Sequence, residues 1–96
     1  MPAATRIGDA DVSHCSGMTR ATGSQNVSVN QIPWSLQGDI NTPHLLPGDE
    51  SCPIHTAPIT IGSITVFVNL KGAGRIGDAL DACTSVAAGS PNVFAG

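Results

Sequence analysis

Tyrosine is absent from this 96-residue chain, and only two Phe and one Trp supply aromatic bulk. The large burial contributions of aromatic rings are therefore nearly missing, in a chain whose length buries only about two thirds of its unfolded surface. Something besides an apolar core is needed to hold it together. Lys and Arg together number four, against seven acidic residues, for a net charge of -3. No basic cluster exists to neutralise a phosphate backbone, which argues against nucleic acid as a partner. No apolar run approaches the ~18 residues of a membrane span, and the opening "MPAATRIGDA" lacks the charged and apolar regions of a signal peptide. A soluble product made in the cytoplasm is the expectation. Three cysteines cannot all pair within one chain, and without an export signal a disulfide framework is disfavoured, leaving the thiols for metal or packing.

Glycine and proline are plentiful, at eleven and seven residues. With many Ser, Thr, Asn and Val they oppose long helices and favour short strands joined by turns, so an all-β fold is expected.

Gly-Ser recurs three times and Gly-Asp stands at three phased positions, with a fourth copy out of phase at Gly48-Asp49; the phased recurrence is the signature of an internal repeat. The phased Gly-Asp copies are Gly8-Asp9, Gly38-Asp39 and Gly77-Asp78. Gly-Ser opens "GSQNVSVN" at Gly23, "GSITVFVN" at Gly62 and "GSPNVFAG" at Gly89. The alternation in these segments puts Val27/Val29, Val66/Val68 and Val93/Ala95 on one face and Ser28, Phe67 and Phe94 on the other. Three equivalent strands are expected, the first two turning at Asn30 and Asn69, since Asn tolerates the left-handed conformation of a tight turn. One domain over 1–96, winding three times around an axis with pseudo-threefold symmetry, follows.

Within that phase, the residue five after each Asp is His14, His44 or Cys83. Imidazole for thiol is a poor packing exchange and a natural exchange between metal ligands. Three ligands are one short of the tetrahedral closure zinc prefers at structural sites. The longer middle unit carries "HLLPGDESCPIHTAPI", with the remaining histidine, His55. The expected site is His14, His44, His55 and Cys83, a set suited to Zn²⁺ and closed to water, hence structural. Either Cys15 or Cys52 is an alternative ligand, Cys52 in "CPIH" standing in for His55 or His44; otherwise the two read as inert thiols, with a disulfide between them as a further alternative. The three Asp residues read as turn formers whose carboxylates satisfy local backbone N–H groups, with orientation of ligand imidazoles as the other role open to them. Trp34, Phe67 and Phe94 read equally as core filling or as partner anchors. No nucleophile and base stand in an arrangement that suggests an enzyme.

The threefold Gly-Asp units, "GSITVFVN", "CPIH" and the ending "AAGSPNVFAG" resemble PAAR-repeat proteins over essentially the whole chain. The tetrapeptide that names the family falls here at Ala3-Ala4-Thr5-Arg6, Pro33-Trp34-Ser35-Leu36 and Gly72-Ala73-Gly74-Arg75, imperfect in each copy but in phase. The family's Asn-Gly turn is altered to Asn30-Gln31 and Asn69-Leu70. The resemblance implies a compact cone whose wide base caps a trimeric β-helical spike, one tip per trimer. It also implies a zinc near the point held by three histidines and one cysteine. The spike belongs to a contractile phage tail or, as the alternative, is the VgrG trimer of a type VI secretion system. Transient contact with a target membrane and a place at the tail or baseplate tip follow from the same resemblance. On this reading Val27, Val29, Val66, Phe67, Val68, Val93 and Phe94 form the base, adding strand edges and apolar contact to the spike. A small zinc-binding adaptor module is the reading of a different class.

Overall fold

The computed structural model describes residues 1–13, 15–45, 48, 53–81 and 83–96. Among the described residues there is no helix, and pairing is antiparallel throughout. The molecule extends 40 Å along one axis and 23 and 22 Å across it. Two hairpins are formed by β1 (Ser28–Val29) with β2 (Ile32–Pro33) and by β3 (Phe67–Val68) with β4 (Lys71–Gly72).

Each hairpin has a two-residue loop with both residues in the left-handed region: Asn30 and Gln31 at φ 53° and 68°, Asn69 and Leu70 at 51° and 68°. This is the type I′ geometry whose twist matches that of the flanking strands. The change from glycine to Gln31 and Leu70 therefore leaves the turn type intact and places two side chains where glycine is favoured. The third Gly-Ser segment has no such turn. Its pairing partner is the beginning of the chain, with the Ala4 N–H donating to the Val93 carbonyl at 2.9 Å and the Ser90 N–H to the Ala4 carbonyl at 2.7 Å.

The strands are shorter than the alternation suggests because each Gly-Ser opens a turn. The Ser24 hydroxyl accepts the N–H groups of Asn26 and Val27 at 3.2 and 2.9 Å, and Ser63 and Ser90 do the same two and three residues on. A serine hydroxyl thus takes the donors that a strand ladder would use. The same hydroxyls tie the units together. Ser90 bonds Asn30 at 2.6 Å, Ser24 bonds Asn69 at 2.8 Å, and Ser63 bonds the Gly96 carbonyl.

The Gly-Asp corners are also threefold. Gly8, Gly38 and Gly77 have φ of 89°, 88° and 90°, the value a type II turn requires at its third position. The carboxylates of Asp9, Asp39 and Asp78 accept the N–H of Arg6, Leu36 and Arg75 at 2.9, 2.7 and 2.7 Å. They are turn formers, as the sequence indicates.

Between hairpins and corners the chain closes a ring. The Thr5 N–H donates to the Gly74 carbonyl at 3.1 Å, Gly74 to Ser35 at 3.0 Å and Ser35 to Thr5 at 3.0 Å. Each donor comes from one repeat and each acceptor from the next. Beside it lies the larger apolar cluster of Ala4, Val29, Trp34, Leu36, Val68, Ala73 and Ala95. Trp34 is core, its indole N–H bonded to the Gly74 carbonyl at 2.9 Å. Ala57, Ile59, Leu80 and Val86 form a second cluster, with Cys83 packed against it.

Candidate metal centre

His44 and His55 are brought together by an antiparallel bridge in which each N–H donates to the other's carbonyl, at 3.1 and 3.2 Å. Side chains of directly paired residues emerge on the same face of the ladder. Their ring centroids are 4.1 Å apart with planes inclined by 63°. Cys83 arrives from the third repeat, its N–H closing a turn on the Leu80 carbonyl at 3.0 Å. The three ligand atoms lie within 4.8 Å of one another, a group that could hold a metal ion.

Ring orientation favours that chemistry. His44 Nδ1 lies 3.0 Å from the Thr42 carbonyl and His55 Nδ1 2.8 Å from the Pro53 carbonyl. A carbonyl accepts only, so in the neutral imidazole each Nδ1 carries the proton and each Nε2 keeps its lone pair. Both lone pairs face the thiol, with His44 Nε2 at 3.3 Å and His55 Nε2 at 3.6 Å from Cys83 Sγ. Orientation by an outer carbonyl is what ligand histidines require. His44 is buried while His55 and Cys83 are half-buried. Burial pushes the Cys83 thiol up from its ordinary value, and the Asp11 charge adds to that against the opposing Arg20.

Of the four sequence-predicted ligands the structure thus unites His44, His55 and Cys83; His14 lies outside the described residues, as does Cys52. Cys15 departs from the expectation of an inert thiol. It is disulfide-bonded, with φ of 66°, whereas Cys83 is free.

Within electrostatic reach of Cys83 lies a pair that sequence reasoning missed. The Arg20 and Asp11 side chains meet at 3.0 Å with both fully out of solvent. Arg20 also donates to the Asp39 carbonyl at 3.2 Å and to that of Ala57 at 3.5 Å. Their counterparts in the other repeats are apolar or neutral. Gly8, Gly38 and Gly77 donate to the carbonyls of Arg20, Ile59 and Val86, and the residues two after each corner Asp are Asp11, Asn41 and Leu80. Asymmetry among the repeats was the available signal.

Among the residues expected at a docking base, Val29 and Val68 belong to the core, and Val27, Val66 and Val93 pack against it. The inward face of a two-residue strand is consumed by the chain's own core. Phe67 and Phe94 are the exposed members, at 60% and 49%.

Comparison with models of known protein families and with curated protein sequences yields no match. The threefold corners and the His-His-Cys group therefore carry the functional argument.

Proposed function

We propose that this chain is a metal-stabilised tip of the PAAR-repeat kind, capping a trimeric β-helical spike of a contractile phage tail or type VI secretion apparatus. One observation carries the reading: side chains at the fifth position after two Gly-Asp corners, His44 and Cys83, converge with His55 of the long middle segment. Three chain segments meet beside the smaller of the two apolar clusters, and a metal cross-link there adds to what its packing supplies. His14, equivalent by phase, is the fourth ligand, and imidazoles with a thiolate favour zinc over hard cations. The metal is structural on this reading, and a conical tip is what three loops drawn to one point would form.

A threefold body is suited to a threefold partner. The hairpin end supplies exposed Phe67, on the short strand β3, and exposed Phe94, and strand addition with apolar contact is a sound way to continue a trimeric sheet. Penetration loads the opposite end, which the metal holds.

The experiment is elemental analysis of the purified protein beside Cys83→Ser and His55→Ala, followed by binding to a trimeric β-helical spike stump. One zinc per chain, lost with either substitution, and a complex of one chain per trimer are expected. Phe67→Asp with Phe94→Asp removes binding without removing zinc. A metal-free, stable wild type overturns the metal reading, and unaltered spike binding by the double Phe variant overturns the base.

A further inference from the structure

A groove of about 690 Å³ runs between the turn at Thr22–Asn26 and the tip of the second hairpin, lined also by Leu36, Asp39, Asn69 and Lys71. Its chemistry is explained by comparing the three corners. At the first corner the Arg6 guanidinium grips Asp9 with two bonds, Nε to Oδ2 at 2.9 Å and a terminal nitrogen to Oδ1 at 3.0 Å. Its other terminal nitrogen reaches the turn residue Asn30, at 3.2 Å from Oδ1. At the third corner Arg75 grips Asp78 in the same way, at 2.8 and 3.4 Å.

The second corner breaks the pattern. Position 36, the counterpart of Arg6 and Arg75, is Leu, and it is buried in the core. Asp39 is left half-buried with no cation paired to it among the described residues. Its Oδ2 accepts the Leu36 N–H at 2.7 Å and its Oδ1 the Thr22 hydroxyl at 3.0 Å. Each oxygen retains a second lone pair. Asn69, the counterpart of Asn30, accepts the Ser24 hydroxyl at 2.8 Å, while Asn30 accepts both its serine and a guanidinium on the same oxygen.

The groove therefore has the acceptors that hold a guanidinium at the first corner, a carboxylate and a turn asparagine, without the side chain that occupies them there. Arg-carboxylate pairing is directional and bidentate, so this set discriminates a guanidinium from a compact ammonium. Lys71, also in the lining, has no carboxylate partner among the described residues.

From this internal comparison we infer that the groove is a socket for an arginine side chain of a partner polypeptide, supplying in trans what Arg6 and Arg75 supply in cis. None of the lining residues belongs to the His-His-Cys group or is one of the exposed phenylalanines, so the socket stands whether or not the proposed function does.

The test is a two-dimensional NMR titration of the full chain with N-acetyl-L-argininamide, which presents the side chain as a polypeptide does. Saturable shifts are expected at Thr22, Asp39, Asn69 and Lys71, with the uncharged citrulline analogue binding about tenfold or more weakly, since its single charge-assisted grip is gone. Leu36→Arg fills the socket from within and removes those shifts. Because that change also takes Leu36 from the core, Asp39→Asn is measured beside it; the amide oxygen still accepts the Leu36 N–H and the turn is kept, but guanidinium binding falls. Equal binding of the citrulline analogue, or unchanged shifts in either variant that folds, overturns the socket. Free L-arginine binding tenfold more tightly than the amide overturns the polypeptide assignment in favour of a small-molecule site.

Discussion

The carboxylate of Asp11 and the guanidinium of Arg20 lie 3.0 Å apart with neither side chain reaching solvent, at positions where the neighbouring repeats place Leu80 and Ile59. The pair is incompletely satisfied, since Asp11 Oδ1 and Arg20 Nε find no hydrogen-bond partner among the described residues. Burial pushes the Asp11 carboxyl up despite the opposing Arg20, so attraction does not recover the cost of desolvation.

Removing one partner and removing both should then have opposite outcomes. Asp11→Ala leaves a buried guanidinium uncompensated and is expected to cost about 3–5 kcal/mol. Arg20→Ile with Asp11→Leu, copied from Ile59 and Leu80, is expected to be neutral or to gain about 1–4 kcal/mol. A raised folded-state carboxyl adds stability in acid and loses it as pH rises through its folded pKa. The lead of the double variant over wild type is therefore larger at neutral pH than in the acid range. Urea unfolding of the three chains at both pH values checks this; a double variant weaker than wild type at pH 7 refutes it.

The hairpin tips allow a stabilising change. Gln31 and Leu70 both sit at φ 68°, where a side chain costs about 1–2 kcal/mol, and Leu70 is 98% exposed and packs on nothing. Glycine relieves the strain but costs roughly 0.5–1 kcal/mol in chain entropy. Leu70→Gly is expected to gain on the order of 0.5–1 kcal/mol, a rise of several degrees in Tm for a chain of this size. Thermal unfolding that shows a loss at Leu70 would mean the exposed leucine contributes contacts of its own.

What the sequence made legible was what the turn chemistry fixes. A Gly-Asp corner sets the chain direction at one point in each repeat, so counting five residues on from Asp39 and Asp78 reached His44 and Cys83. His55 followed from being in the one irregular segment. The strands were overextended because alternation cannot reveal that Ser24, Ser63 and Ser90 take up the backbone donors. The Cys15 disulfide was legible only as an alternative to an inert thiol, because redox compartment says nothing about proximity. The Arg20–Asp11 pair was invisible for a related reason: it depends on which side chain of one repeat faces another.

The axial ring gives a sharper test of the threefold closure. A Cβ at Gly74 would collide with the Ser35 carbonyl oxygen and press on Ile59 and Thr5, and Gly74 both donates to Ser35 and accepts from Thr5. Gly74→Ala is expected to cost about 3 kcal/mol through overpacking, whereas Gly8→Ala, open to solvent, is expected to cost about 1 kcal/mol through its positive φ alone. Chemical denaturation distinguishes them. Equal losses would show that the ring has room to relax and does not fix the spacing of the repeats.

The thiol at the candidate metal centre should report metal entry directly. Burial and the nearby Asp11 charge hold the Cys83 pKa above its ordinary value, so the metal-free chain keeps the thiol protonated at neutral pH. A metal takes the thiolate, so binding must expel that proton. Calorimetric titration with zinc at pH 7, in buffers of differing ionisation enthalpy, is expected to show about one proton released per metal. The sign follows from the raised value: lowering the pH makes removal of the proton harder, and affinity falls by about tenfold per pH unit while the thiol is the group released. Cys83→Ser removes the proton release together with most of the affinity. Zinc binding by wild type with no buffer-dependent heat would show that the thiolate is not a ligand and that the histidines bind without it.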